Sequence, residues 1–212
     1  GVGWLELLAE FKKWKPHIVQ TLLPTSDFVG RLTARAANVP TILSSVRGRA
    51  ILKSPLQRMQ DRLTARFAKR VIFNCREAIP FAIRHEGITP DQVIYIPNGV
   101  HVEKHYIEQP PRREHIIGAV GRLHPIKGHS DLLKAFARVH PQKPETRLWI
   151  VGDGILRDSL KREAVQLKID HVVKFLGDRS DVPSLLEQID LFVHPSLAEG
   201  MPNAVLEAMA HA

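Results

Sequence analysis

The spacing of apolar and polar positions switches repeatedly between a helical and a strand period along the 212 residues. From Gly1 to Lys15, Trp4, Leu7, Leu8, Phe11 and Trp14 fall on one side of a helix and Glu6, Glu10, Lys12 and Lys13 elsewhere. Pro16 ends that helix, and Ile18 to Leu23 is an apolar run of strand length. A helix over 27–37, capped by Ser26 or Asp27, and a strand over 40–45 follow, which sets up a β-α-β rhythm. From Pro55 to Arg70, Leu56, Met59, Leu63 and Phe67 keep helical spacing while Arg58, Arg62 and Arg66 recur every fourth residue on another side. A strand over 70–74, a helix over 77–84 and a strand over 93–96 closed by the Pro97-Asn98-Gly99 turn come next. Residues 102–113, charged and holding Pro110 and Pro111, read as a linker.

Beyond the linker the period is regular. Strands are expected at 115–120, 147–151, 172–175 and 190–194, with helices at 129–139, 155–167 and 182–188 between them. A last helix is expected from about Pro202, whose missing N–H is no loss at a first helical position. Strands alternating with helices imply parallel sheets, and ligands of such sheets bind beyond the carboxyl ends of the strands. Four loops fall there: Gly121-Arg122, Gly152-Asp153-Gly154, Leu176-Gly177 and Ser196 to Pro202. The expected fold is therefore α/β, with two Rossmann-like domains at 1–111 and 112–212, the first including the linker from about 102.

Composition narrows the function. No apolar run approaches the eighteen or so residues a membrane span needs, no leader opens the chain, and the single Cys75 excludes an intrachain disulfide. These features suit a soluble cytoplasmic protein with Cys75 as a small buried hydrophobe. The net charge of +8 is uneven: residues 1–111 hold 16 Lys+Arg against 9 Asp+Glu, and residues 112–212 hold 14 against 13. The first half is thus expected to meet an anionic partner. Its basic centre, Arg47 to Arg70, admits two readings: a basic amphipathic helix at 55–70 that touches an anionic membrane or lipid-linked phosphate, or a surface helix docked by its apolar stripe with solvated arginines. Nucleic acid is not expected, since no aromatic residues interleave the basic face.

Chemistry concentrates at Pro195 to Ala210, where Glu199 precedes the expected helix and Glu207 lies inside it, roughly 7 to 10 Å further along. A nucleotide-sugar has matching dimensions. Its sugar hydroxyls can meet Glu199, its ribose Glu207, and its diphosphate the helix N-terminus between them. The eleven histidines form no spaced ligand set, so no metal is expected and most are surface or packing residues. A nicotinamide-binding reading of Gly152-Asp153-Gly154 fails because Arg157 stands where the third glycine of that fingerprint belongs.

These residues carry a resemblance. The Glu199-x7-Glu207 spacing is similar to the Glu-x7-Glu motif of retaining glycosyltransferases of family 4, which have the GT-B fold. GRLHPIKG (Gly121 to Gly128), LWIVGDG (Leu148 to Gly154), VKFLGDRSDVPSLL (Val173 to Leu186) and IPNGV (Ile96 to Val100) occur in that family's order. The resemblance spans nearly the whole chain and is strongest from Ile94 onward. It implies transfer of a sugar, with retention, from a nucleoside-diphosphate-sugar to a saccharide or lipid-linked acceptor, in polysaccharide or glycolipid synthesis. It assigns the donor to Gly121, Arg122, Lys127, Gly152, Gly154, Leu176, Glu199, Gly200, Met201, Pro202, Asn203, Leu206 and Glu207. Arg122, Lys127 and Glu199 are the catalytic candidates, the two cations stabilising the departing diphosphate without a metal or other cofactor. It also implies that both ends are incomplete, with a glycine-rich strand and loop before Gly1 and further strands after Ala212.

Two departures stand out. The family's Pro-Asp-(Ile/Val)-(Ile/Val)-His segment reads Pro16, His17, Ile18, Val19, Gln20 here, and its histidine after the second strand is absent from Ser44, Ser45, Val46, Arg47. No general base is assigned, and an inactive nucleotide-sugar-binding module or a sugar-nucleotide epimerase of the same fold stays open. A peripheral place at the cytoplasmic membrane face follows if the basic helix binds lipid.

Overall fold

A computed structural model describes residues 3–48, 53–101 and 114–211. The expected linker at 102–113, and Arg49 of the basic stretch, lie outside these residues. The described chain divides into two compact units, Gly1–Asn98 with Glu199–Met201, and Gly99–Ala198 with Pro202–Ala212.

The first unit runs α1 (Trp4–Trp14), β1 (Ile18–Leu22), α2 (Pro24–Ala36), β2 (Thr41–Val46), α3 (Pro55–Thr64), β3 (Arg70–Phe73), α4 (Ile79–His85), β4 (Val93–Tyr95). The strands are parallel in the order β1-β2-β3-β4. Each crossover steps the same way, so the right-handed rule places α2, α3 and α4 on one face of the sheet. Val46, Val71 and Phe73 point to that face and pack with Ala65, Ala68, Ala78 and Ala82, while Cys75 is buried in the same cluster.

Polar residues share this interior. Arg31 of α2 is 1% exposed and donates to Ser44 of β2 at 2.7 Å, to Asp61 of α3 at 3.1 Å and to Thr64 at 3.4 Å. Asp27 accepts a short hydrogen bond from Thr21, and its carboxylate lies 3.8 Å from Arg31. Lys53 Nζ lies 2.8 Å from Asp61 and 2.9 Å from Glu86, the latter pair without hydrogen-bond geometry. Burial pushes the Asp27 carboxyl above its ordinary range, against the pull of Arg31 and Thr21, and neighbouring Asp61 adds to the rise.

This network corrects the sequence reading of 55–70. The helix ends at Thr64, passes through a tight turn at Ala65–Phe67, and β3 has begun by Arg70. Its apolar stripe does not dock on the core. Asp61 and Thr64 are the buried residues of α3, whereas Leu56, Met59 and Leu63 are 58%, 54% and 58% exposed. The three arginines do not share one solvated side either. Arg62 and Arg66 are exposed, but Arg58 is half-buried with its guanidinium 5.4 Å from the centre of the Phe81 ring. Periodicity located the helix; the ionic partners Arg31, on another helix, and Lys53, just before α3, decided which face turned in.

The second unit runs β5 (His115–Val120), α5 (His129–Val139), β6 (Thr146–Val151), α6 (Arg157–Gln166), β7 (Val173–Gly177), α7 (Val182–Leu186), β8 (Leu191–Phe192), α8 (Asn203–Ala210). Its parallel sheet has the order β7-β6-β5-β8. The crossovers through α5 and α6 step one way, and α7 carries the chain back past β6 and β5, so α7 belongs on the opposite face. Ala119, Leu148 and Ile150 form the core with Leu133 and Phe136 of α5 and Leu160 and Ala164 of α6. The strand expected over 190–194 shortens to two paired residues, flanked by single bonds from Asp190 N–H and Val193 N–H to β5.

Candidate functional site: the loops at the carboxyl ends of β5 to β8

Strand order reverses at β5, which has β6 on one side and β8 on the other, and the crevice beyond such a switch point is where open parallel sheets bind ligands. Backbone hydrogen bonds fasten the loops there to one another. Gly121 N–H donates to Val151 at 2.9 Å, Leu123 N–H to Asp153 at 2.9 Å, and Gly152 N–H to Gly177 at 2.7 Å. Leu197 N–H donates to Ile126 at 2.8 Å, which joins the β8 loop to the β5 loop. Two glycines permit this closeness: a Cβ on Gly152 would lie 2.2 Å from Gly121 O, and one on Gly128 2.2 Å from Pro195 O, both at positive φ.

On this frame Arg122 is exposed and makes no ion pair among the described residues, while Lys127 is half-buried in the turn Pro125–Lys127 before α5. Gly154 follows Asp153, whose carboxylate accepts from Gly154 N–H and pairs with Arg157, interactions that hold it below its ordinary range. Leu176 is half-buried near the end of β7. The structure thus brings Gly121, Gly152, Gly154 and Leu176 into one connected set of loops with the two cations.

The Glu199-to-Glu207 stretch is distributed differently. Pro202 is extended at the cap, one position earlier than a first helical residue, so α8 starts at Asn203 and Glu207 is its fifth residue. The N-cap residue Pro202 makes no side-chain cap hydrogen bond, and the dipole of α8 favours an anion at this end. Asn203 and Glu207 line a cavity of ≈ 440 Å³ with Val182, Pro183 and Leu186 of α7 and His101, and half-buried Leu206 is their neighbour on α8. Glu199, Gly200 and Met201 group with the first unit, where Asn98 donates from its backbone to Met201 Sδ and from Nδ2 to Met201 O, both at 3.1 Å.

One residue escaped the sequence reading. His129, the first residue of α5, is 2% exposed, and neither ring nitrogen has a hydrogen-bond partner of good geometry. Burial pushes its pKa down, with further repulsion from Lys127 and His194, while the backbones of Arg122 and Gly121 act the other way. On balance the surroundings favour the neutral imidazole, next to Lys127. Its place directly after Lys127-Gly128 was the available signal.

Comparison with known proteins agrees with this architecture. Residues 114–212 match the family model described as Glycosyl transferases group 1, and residues 2–99 match the Glycosyl transferase 4-like domain. The UDP-Gal:alpha-D-GlcNAc-diphosphoundecaprenol alpha-1,3-galactosyltransferase of Escherichia coli is 31% identical over 97% of this chain and 58% of its own length. The Staphylococcus aureus capsular polysaccharide biosynthesis glycosyltransferase CapM is 23% identical over 97% of this chain and 59% of its own. Among solved structures, HepE of Anabaena in complex with UDP and glucose superposes with a TM-score of 0.82 at 24% identity, over 96% of this chain and 60% of that one. The chain therefore spans about three fifths of the length of these relatives. Each half of the chain thus matches a glycosyltransferase domain model, and the fold is the GT-B fold of these solved structures.

Proposed function

We propose that this chain holds the donor site of a retaining glycosyltransferase of family 4 type, which moves a hexose from a nucleoside-diphosphate-sugar to a lipid-linked or saccharide acceptor at the cytoplasmic side of a membrane. The observation that carries the reading is the backbone-fastened loop set bearing Arg122 and Lys127 at the switch point, followed by the N-terminus of α8. Arg122 and Lys127 take the diphosphate, Glu207 the ribose and Glu199 the sugar hydroxyls. As the bond from the anomeric carbon to the diphosphate breaks, negative charge grows on the departing oxygen, where fixed cations stabilise the transition state more than the ground state. The acceptor hydroxyl bonds to the same face of that carbon and gives its proton to the leaving phosphate, so no side-chain base is needed. Two protein cations fill the role a metal ion would otherwise take. The Escherichia coli relative, named for UDP-galactose and a diphosphoundecaprenol acceptor, favours a uridine donor and a lipid-linked diphosphate acceptor.

A donor-binding module without turnover is a second reading, favoured by the end of β2, where Ser44 to Arg47 stand in place of the family's histidine. Saturation-transfer NMR with UDP-, GDP- and ADP-sugars tests donor binding, and release of nucleoside diphosphate with acceptor present separates enzyme from module. Arg122→Ala or Lys127→Ala should each weaken nucleoside diphosphate binding by about 1.5 to 3 kcal/mol, the value of a charge-assisted hydrogen bond. Unchanged affinity in both variants refutes the donor assignment.

A further inference from the structure

An amphipathic surface helix ordinarily turns its apolar stripe to the core. In α3 the assignment is reversed: Asp61 and Thr64 are locked inward by Arg31 and Lys53, and Leu56, Met59 and Leu63 form an outward ridge, each more than half exposed. The exposed charge along this segment of chain has one sign. Arg62 and Arg66 are exposed beside it, Lys69 and Arg70 are exposed just after it, and Asp61, the sole carboxylate between Lys53 and Arg70, is buried.

We propose that this ridge docks α3 on an anionic lipid bilayer, with Leu56, Met59 and Leu63 entering the acyl boundary and Arg62 and Arg66 meeting lipid phosphates. A bilayer offers an apolar layer directly beneath a layer of negative charge, and that is the complement of an apolar ridge edged by arginines. A second copy of the chain docking through the same ridge would set arginine against arginine. A covering protein segment would have to bring its own carboxylates. The inference goes beyond the transferase reading and does not depend on it.

The test is co-sedimentation of the 212-residue chain with phosphatidylcholine vesicles, with or without added phosphatidylglycerol. Binding is expected only with phosphatidylglycerol and should fall as salt rises. Arg62→Gln and Arg66→Gln should each weaken it roughly fivefold, from about 1 kcal/mol per basic residue near an anionic surface. Met59→Gln with Leu63→Gln should weaken it about tenfold or more, whereas Val165→Gln, at a 59% exposed position on α6, should leave it unchanged. A second readout needs no variant: phosphatidylglycerol vesicles should slow peroxide oxidation of Met59 but not of Met209, which is 70% exposed on α8. The proposal is overturned if the unmodified chain stays in the supernatant, if the ridge variant binds as well as the unmodified chain, or if light scattering shows a dimer that the ridge substitutions abolish.

Discussion

Asp61→Asn tests the inverted docking of α3 at its anchor. Asp61 is 2% exposed and accepts from Arg31 at 3.1 Å and Lys53 at 2.8 Å, so the substitution leaves two buried cations short of a carboxylate. Breaking a buried ion pair from one side costs about 3 to 5 kcal/mol. The low end applies, because Lys53 keeps Glu86 at 2.9 Å and Arg31 keeps Asp27 at 3.8 Å. Asp61 is also one of the influences that raise the Asp27 pKa, so its removal strengthens the Asp27–Arg31 pair and recovers part of the loss. A cost of about 3 kcal/mol corresponds to about a hundredfold faster opening. Native-state hydrogen exchange reads this locally: amides of β2 and β3 should lose about a hundredfold protection, with those of β5 and β6 as the reference. The exposed Asp91→Asn should change protection by less than about 0.5 kcal/mol. A loss below about tenfold in β2 and β3 would show that α3 is held by something other than this network.

Three further outcomes are expected. Glu207→Gln should weaken both nucleoside diphosphate and nucleotide-sugar, while Glu199→Gln should spare the diphosphate and act only when the sugar is present; calorimetric titrations in which both substitutions affect both ligands equally would refute the division. Because the folded pKa of His129 is held below 6.5, its contribution to stability is present above pH 6.5 and lost as the pH falls through the lower folded value. His129→Gln should therefore flatten the fall in stability on acidification by up to about 1.4 kcal/mol per pH unit, and denaturant titrations with unchanged pH slope would show that another group titrates. Gly128→Ala should cost about 2 kcal/mol or more, from a positive φ and a Cβ 2.2 Å from Pro195 O; unchanged exchange protection in α5 and β5 would count against it.

Most of the fold was legible because its strands are short apolar runs between well-spaced helices: β5, β6 and α5 fall within a residue of their expected bounds. The turns of the loops were legible as well, since Gly152 and Gly128 stand where only a glycine leaves room for the facing carbonyl. Two things were not. The face of α3 that turns inward depends on Arg31, thirty residues before Asp61, and a local period has no knowledge of so distant a partner. The burial of His129 sets it against the backbone of Gly121 and Arg122 and near His194, residues from two separate loops, so the sequence left it undistinguished among histidines read as surface or packing residues.

The loop frame has one more consequence. Its joints run from peptide group to peptide group, Gly121 to Val151, Leu123 to Asp153, Gly152 to Gly177 and Leu197 to Ile126. Apart from buried Leu123 and the Asp153–Arg157 pair, side chains on these loops therefore carry little of the frame's cohesion, and the exposed ones can be exchanged without loosening it. For the donor site proposed above, such a frame would let ligand preference change by substitution at the half-buried Leu176 while the geometry around Arg122 and Lys127 stays fixed. New specificities can then arise one residue at a time, each on a protein that still folds.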